Sequence, residues 1–198
     1  MLNDQNLADY IRLPDYIEKK KDTGQIPIAR YADLMKFALL EHYGGTWIDS
    51  TVYLTDPIPD MILNSDFFAV RNSLLLIDNP VLYPAWFLHV KKGNKTIREI
   101  RNVAFAYLLK NEHVIEYLLP NLIITLVVKS NPEVGKEIPY MNSDYSEYLV
   151  KALADDYSEE KWNWIKKLTG IHKLTYKLSP DIEAEDTFYK ALIENSIE

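Results

Sequence analysis

The chain has 198 residues, 47% hydrophobic and 26% charged, enough for one core of ordinary size, and it predicts a single domain over 1–198. A formal net charge of −7 and a pI near 5.2 supply no global basic field, which argues against nucleic acid as a partner. Cysteine is absent, so disulfides, thiolate zinc centres and thiol nucleophiles are excluded. The N-terminus, MLNDQNLADY, has neither the cationic start nor the apolar core of a signal peptide. The most apolar run, 114–128, contains Glu116, Pro120 and Asn121 and falls short of the roughly 20 residues of a spanning helix. It predicts a core helix in an intracellular chain.

In chain order, 6–20 (NLADYIRLPDYIEKK) places Pro14 where it ends one helical stretch and starts another. Residues 21–25 form a polar turn, and Pro27 suits the first turn of the next helix. The stretch 30–53, RYADLMKFALLEHYGGTWIDSTVY, reads as an amphipathic helix, a glycine stop and a strand. Tyr31, Leu34, Met35, Ala38, Leu39 and His42 recur at the spacing of one buried face, with Asp33, Lys36 and Phe37 to its side. Gly44 and Gly45 suit a left-handed helix cap and a tight turn. Residues 46–53 then predict one strand whose polar end carries Asp49, Ser50 and Thr51. Strand alternation would put Asp49 and Thr51 on the same side, at the sheet end where ligands collect in open α/β folds. The prolines in 55–60 take the chain out of the sheet.

Further on, 66–71 (DFFAVR) and 85–90 (AWFLHV) predict two strands, with 74–77 as a third. Ile97, Ile100, Ala104, Tyr107 and Leu108 mark one face of a helix after the 91–94 turn. A second helix is expected from near Glu112, kinked or interrupted around Tyr117 by Pro120. Residues 131–139 read as loop, 145–153 as helix, and 158–168 as a helix capped by Ser158 or Asp156. The segment from about 155 to 198 is expected to form a helical tail, interrupted by the 170–177 run GIHKLTYK.

Asp33 with Lys36 has a plain reading as an exposed ion pair three residues apart, which spacing alone favours. Asp49 is harder to set aside, because a carboxylate just after Trp47 and Ile48 is costly if buried unpaired; a turn or capping role stands beside a ligand-binding one. His172 and Lys173 offer an imidazole and a cation side by side, pointing apart if extended, and by themselves read as surface chemistry. His42, His89 and His113 read as packed or surface residues, and Trp86, Trp162 and Trp164 as core or groove aromatics. GxxxxGK[ST], GxSxG, HExxH and GxGxxG are all absent.

The run YADLMKFALLEHYGGTWIDSTVYLTDPIP, with LPDYIEKK before it and GIHKLTYK after it, resembles the capsular polysaccharide synthesis proteins, a branch of the retaining glycosyltransferases with a DXD-containing sugar-binding region. The family pattern of a Ser-Asp-x-x-Arg helix, a tyrosine with two glycines and an aromatic-Ile-Asp strand falls here on Asp33, Lys36, Tyr43, Gly44, Gly45, Trp47, Ile48 and Asp49. Lys36 stands where arginine is usual, and Thr51 where a full DXD has its second aspartate. Relative to such proteins the chain reads as N-terminally truncated.

The resemblance implies an α/β fold of GT-A type, an open mixed sheet flanked by helices, and transfer of a sugar from a nucleotide-sugar donor to a glycan or lipid-linked glycan acceptor. It implies Mn2+ or Mg2+ held by Asp49, Thr51 and His172. Asp49 and Asp33 would be the catalytic residues; Asp33, Lys36, Gly45, Thr51 and Lys173 would bind the donor. The setting it implies is bacterial and cytoplasmic, at the inner face of the membrane. A silent remnant or partner subunit keeping the same scaffold is the alternative, with a homo-oligomer or a partner chain completing the sheet.

Overall fold

The computed structural model describes residues 6–73, 79–114, 116–178, 182 and 186–194. Contacts divide the chain into two compact units: unit 1 spans 1–48 and 61–141, and unit 2 spans 49–60 and 142–198. The α/β expectation is borne out as two small antiparallel sheets flanked by helices.

Unit 1 opens with α1 (Leu7–Tyr10) and α2 (Asp15–Asp22), separated at Pro14, whose fixed φ prepares the first turn of α2. Next comes α3 (Ile28–Tyr43), preceded by Pro27 as its N-cap. Its buried face includes Tyr31, Leu34, Phe37, Ala38 and Leu40. Lys36 is also buried, whereas His42 is exposed. The buried stripe is therefore rotated from the expected one: Phe37 contributes more apolar area than an imidazole, so the helix turns it inward.

At the end of α3, Gly44 has φ 71° and ψ −162°, a region open essentially to glycine alone. A Cβ there would stand 2.5 Å from the Lys92 backbone nitrogen. This close approach joins α3 to β1 (Gly45–Ile48), which pairs antiparallel with β4 (Phe87–Val90), Gly45 opposite Val90 and Ile48 opposite Phe87. On the other side of β4 lies β3 (Phe67–Ala69), also antiparallel, after the short helix α4 (Asp60–Leu63), which ends in unit 1. β4 is buried along its whole length, as a central strand with both faces covered must be. The 74–77 strand lies outside the described residues.

The helical layer is α5 (Lys95–Lys110), α6 (Leu119–Ser130) and α7 (Pro132–Glu137). Asn94 caps α5, accepting from Thr96 N and Ile97 N at 2.8 and 3.1 Å. Ile97, Ile100, Leu108 and Ile124 are fully or almost fully buried together with Phe37. At about 1.5–3 kcal/mol for each such side chain, this cluster is the main cohesion of the unit. Two expectations are corrected here. Pro120 starts α6 rather than interrupting a helix from Glu112, because a missing N–H costs nothing in a first turn. Residues 131–139 contain α7, begun by Pro132 in the same way.

Unit 2 contains β2 (Val52–Leu54) and β5 (Ile171–Lys173), paired antiparallel with Val52 opposite Lys173, Tyr53 opposite His172 and Leu54 opposite Ile171. The strand expected over 46–53 is thus two strands in two sheets. Val52 N donates to Asp49 O at 3.0 Å, closing a turn over Asp49, Ser50 and Thr51. Three consecutive polar residues favour that turn over a continued ladder. Around the pair lie α8 (Ser143–Ser146), α9 (Tyr148–Ala152), α10 (Glu159–Leu168) and α11 (Phe188–Ile193). The helix expected at 145–153 is two short ones that meet at Glu147. Ser158 caps α10, as expected, accepting from Lys161 N at 3.3 Å. Leu149, Ala152, Trp162, Ile165 and Phe188 form this unit's own core. Among the described residues, no helix is long and apolar enough to cross a membrane.

Candidate active site

The residues singled out in the sequence fall in both units. Asp33, Lys36 and Gly45 belong to unit 1; Asp49, Thr51, His172 and Lys173 belong to unit 2. The chain passes from one group to the other at the Ile48–Asp49 peptide bond.

In unit 1, Asp33 and Lys36 are not an exposed pair. Lys36 Nζ donates to Asp33 Oδ1 at 3.1 Å and to the Ala85 carbonyl at 3.0 Å, with its ammonium 5.2 Å from the centre of the Trp47 ring. Arg30 donates to the other oxygen, Asp33 Oδ2, at 2.6 Å. The Lys36 side chain is 4% exposed and that of Asp33 15%. Helical spacing of three residues aligns Arg30, Asp33 and Lys36 on one face of α3, with Tyr117 against Arg30 and with Trp47 and the Ala85 carbonyl against Lys36. A charge set so deep is tolerated only because each group is paired. Gly45 has φ 98° and open space at its Cβ position, so its conformation rather than crowding calls for glycine.

In unit 2 the turn and the sheet cooperate. Leu174 N donates to Thr51 O at 2.7 Å, extending the β2–β5 pairing to the turn. Lys173 Nζ consequently reaches Thr51 and donates to its Oγ1. A cation thus sits on the hydroxyl two residues after Asp49, and Asp49, Thr51 and Lys173 are all half-buried. The strand alternation expected to align Asp49 with Thr51 does not operate, because the two residues lie in a turn rather than in one strand. Asp49 and Lys173 make interactions beyond those described above.

His172 corrects the expectation of a surface imidazole: it is wholly buried. Its Nε2 shares a hydrogen bond of 3.2 Å with Thr55 Oγ1, and its Nδ1 is buried without a partner among the described residues. Burial pushes its pKa down to about 4, against a smaller opposing pull from Asp56, so the ring is neutral at pH 7. Gly170 makes the adjoining contact possible, since a Cβ there would stand 2.6 Å from Asp56 Cβ.

Glu147, which sequence reasoning missed, belongs to the same unit. Burial pushes its carboxyl up; Lys151 opposes the rise, Asp144 adds to it, and Lys173 and a hydrogen bond from Ser143 oppose it. Its run, SDYSEYLV, carries no motif, and only the packing of the α8–α9 junction beside β5 reveals the proximity to Lys173. Among the described residues no three His, Asp or Glu side chains gather as a ready-made metal cage. A carboxylate from the protein completed by substrate phosphates and water is, however, the usual manner of holding Mg2+. Asp49 fits that manner; Thr51 Oγ1 is occupied by an ammonium, and His172 is sealed from solvent.

Fold and side chains together define a mixed α/β protein in which, within unit 2, a lysine of β5 reaches the hydroxyl of the 49–51 turn. A family model described as capsular polysaccharide synthesis protein matches residues 1–192, and the chain belongs to that family. No curated protein matches the chain.

Proposed function

We propose that the protein is a glycosyltransferase of capsular or cell-surface polysaccharide synthesis, acting on a nucleotide-sugar donor at the Asp49–Lys173 corner. The observation that carries this reading is the ammonium of Lys173 folded onto Thr51, two residues after Asp49, in a member of this family. Transfer breaks the bond between the anomeric carbon and a diphosphate oxygen, and the electron pair leaves with the diphosphate. The acceptor hydroxyl oxygen forms the new bond from the face the leaving group vacates, retaining configuration, and its proton passes to the departing phosphate oxygen. Lys173 offsets the charge that develops on the diphosphate, which is where a fixed cation contributes most. Asp49 would hold Mn2+ or Mg2+, and the cation would supply further charge stabilisation to the leaving group. On this reading His172, wholly buried and hydrogen-bonded to Thr55, supports the corner without touching the cation. The acceptor is a glycan or a lipid-linked glycan, met at the cytoplasmic face of the membrane.

Calorimetric titration of UDP-glucose, UDP-galactose and related nucleotide sugars, with and without Mn2+, tests this. Metal-dependent binding by wild type, lost in Asp49→Ala and weakened about tenfold in Lys173→Met, is expected. Binding of equal strength without metal, or unchanged in Asp49→Ala, would overturn the assignment. A second reading, a silent scaffold or partner subunit, is favoured by one observation: both oxygens of Asp33 already carry cations. It predicts no donor binding by any variant.

A further inference from the structure

Unit 1 contains a groove of about 840 Å³ bounded by the end of β3, residues 79–83, the last turn of α6 and α7. That volume lies within the usual range of small-molecule sites, about 300–1,000 Å³. Arg71, Lys129 and Lys136 line it from three different elements, and among the described residues its lining includes no carboxylate. In a chain of net charge −7 this is a local reversal of sign, and a concave positive surface concentrates anions.

Arg71 gives the groove a built centre. Its backbone N donates to Met141 O at 2.8 Å, and its guanidinium carbon lies 6.0 Å from the centre of the Tyr140 ring. Its Nε is buried without a hydrogen-bond partner among the described residues. A buried guanidinium donor left unmet is costly, and a turn of the side chain that brings it to an acceptor supplied by a ligand removes that cost. Among the described residues Lys136 is tied to Glu133, at 2.8 Å, in a pair more than 70% exposed on both sides, which exchanges partners readily.

The opposite wall is fixed in advance. Thr125 Oγ1 accepts from Leu82 N and Tyr83 N at 3.0 and 3.1 Å, and Asn72 Nδ2 donates to Val81 O at 2.9 Å. Gly135 lines the groove without a side chain of its own. Tyr140, 58% exposed, presents much of its ring to whatever enters.

We propose that this groove binds a sugar carrying a phosphomonoester, as a site separate in its residues from the Asp49–Lys173 corner. Arg71 takes phosphoryl oxygens through Nε and a terminal nitrogen, the paired geometry that guanidinium offers and ammonium does not. Lys129 and Lys136 balance the remaining charge, and the electron-rich face of Tyr140 covers the C–H groups of the pyranose. The saccharide part rests on the transferase reading; the phosphoryl part stands on the groove alone. The acceptor glycan it implies is a phosphorylated one.

Nuclear magnetic resonance titration of the full chain with glucose 6-phosphate, inorganic phosphate and maltose tests the proposal, following the amides of Gly135 and Tyr140. Glucose 6-phosphate is expected to shift both, to bind more tightly than inorganic phosphate, and to lose about tenfold in affinity in Arg71→Gln and in Arg71→Lys. The exposed Lys129→Gln loses about threefold and covers the case in which the Arg71 variants do not fold. Binding is expected to persist in Asp49→Ala, which separates this site from the donor corner. Equal affinity for inorganic phosphate and glucose 6-phosphate would overturn the saccharide assignment. Maltose binding as tightly, or affinity unchanged in Lys129→Gln and in any folded Arg71 variant, would overturn the phosphoryl one, as would loss of binding in Asp49→Ala.

Discussion

Lys36 is the residue whose surroundings decide most about α3. Its ammonium, held by Asp33 and the Ala85 carbonyl, lies where a charge survives only with partners. Asp33→Ala removes the partner and leaves Lys36 and Arg30 facing each other, so we expect a loss of about 3–5 kcal/mol in urea denaturation. Lys36→Met keeps the apolar stem and is expected to cost less than Asp33→Ala. A loss below about 1 kcal/mol for Asp33→Ala would show that the pair is solvated. Gly44 is the second decisive residue, for backbone reasons. With φ at 71° and the Lys92 nitrogen 2.5 Å from the missing Cβ, Gly44→Ala should cost about 1–3 kcal/mol in strain alone, read as a lowered urea midpoint.

Among the elements, α6 does more than bury its apolar face. Thr125 on its inner side accepts from two consecutive backbone nitrogens of the 82–83 segment, fastening a loop that has no ladder of its own. Thr125→Val preserves the shape and removes the acceptor, leaving two N–H groups unmet; a loss of about 1–3 kcal/mol follows, with faster amide exchange at Leu82 and Tyr83. The same substitution in a loop held by side-chain packing would leave exchange unchanged. α10 depends on its cap in a simpler way. Ser158→Ala is expected to cost about 1 kcal/mol, visible as a small drop in melting temperature.

For the whole molecule, pH couples charge to stability through His172. Its pKa is about 4 in the fold and near 6.5 when unfolded, so between these values the unfolded chain binds a proton that the folded chain does not. Stability therefore rises with pH across that window and is lost as pH falls from 6.5 towards 4, by on the order of 2–3 kcal/mol. The chain also approaches its pI of about 5.2 in the same range, so aggregation should accompany the loss. Melting temperatures from pH 7 to pH 4 check this, and His172→Gln should flatten the slope. An unchanged slope would assign the acid sensitivity to other groups.

The amino-acid sequence by itself determined the α/β class, the α3–glycine–β1 unit, the start of a helix at Pro27, the cap at Ser158 and the family, because these rest on local periodicity, backbone restriction and short-range spacing. Asp49 was legible as a candidate because a carboxylate stands out after an apolar run, whereas Asp33, Lys36 and Lys173 were singled out by the family resemblance, spacing alone reading them as an ion pair and as surface chemistry. Only the tertiary structure decided that the pair on α3 is buried, that residues 46–53 break into two sheets, and that Thr51 meets Lys173 across 122 positions of chain. It also decided that His172 lies inside, that Glu147 comes near Lys173 and that Arg71 lines a groove. Burial and long-range pairing depend on which elements come to lie against one another, and a residue's own neighbours in sequence carry no record of that.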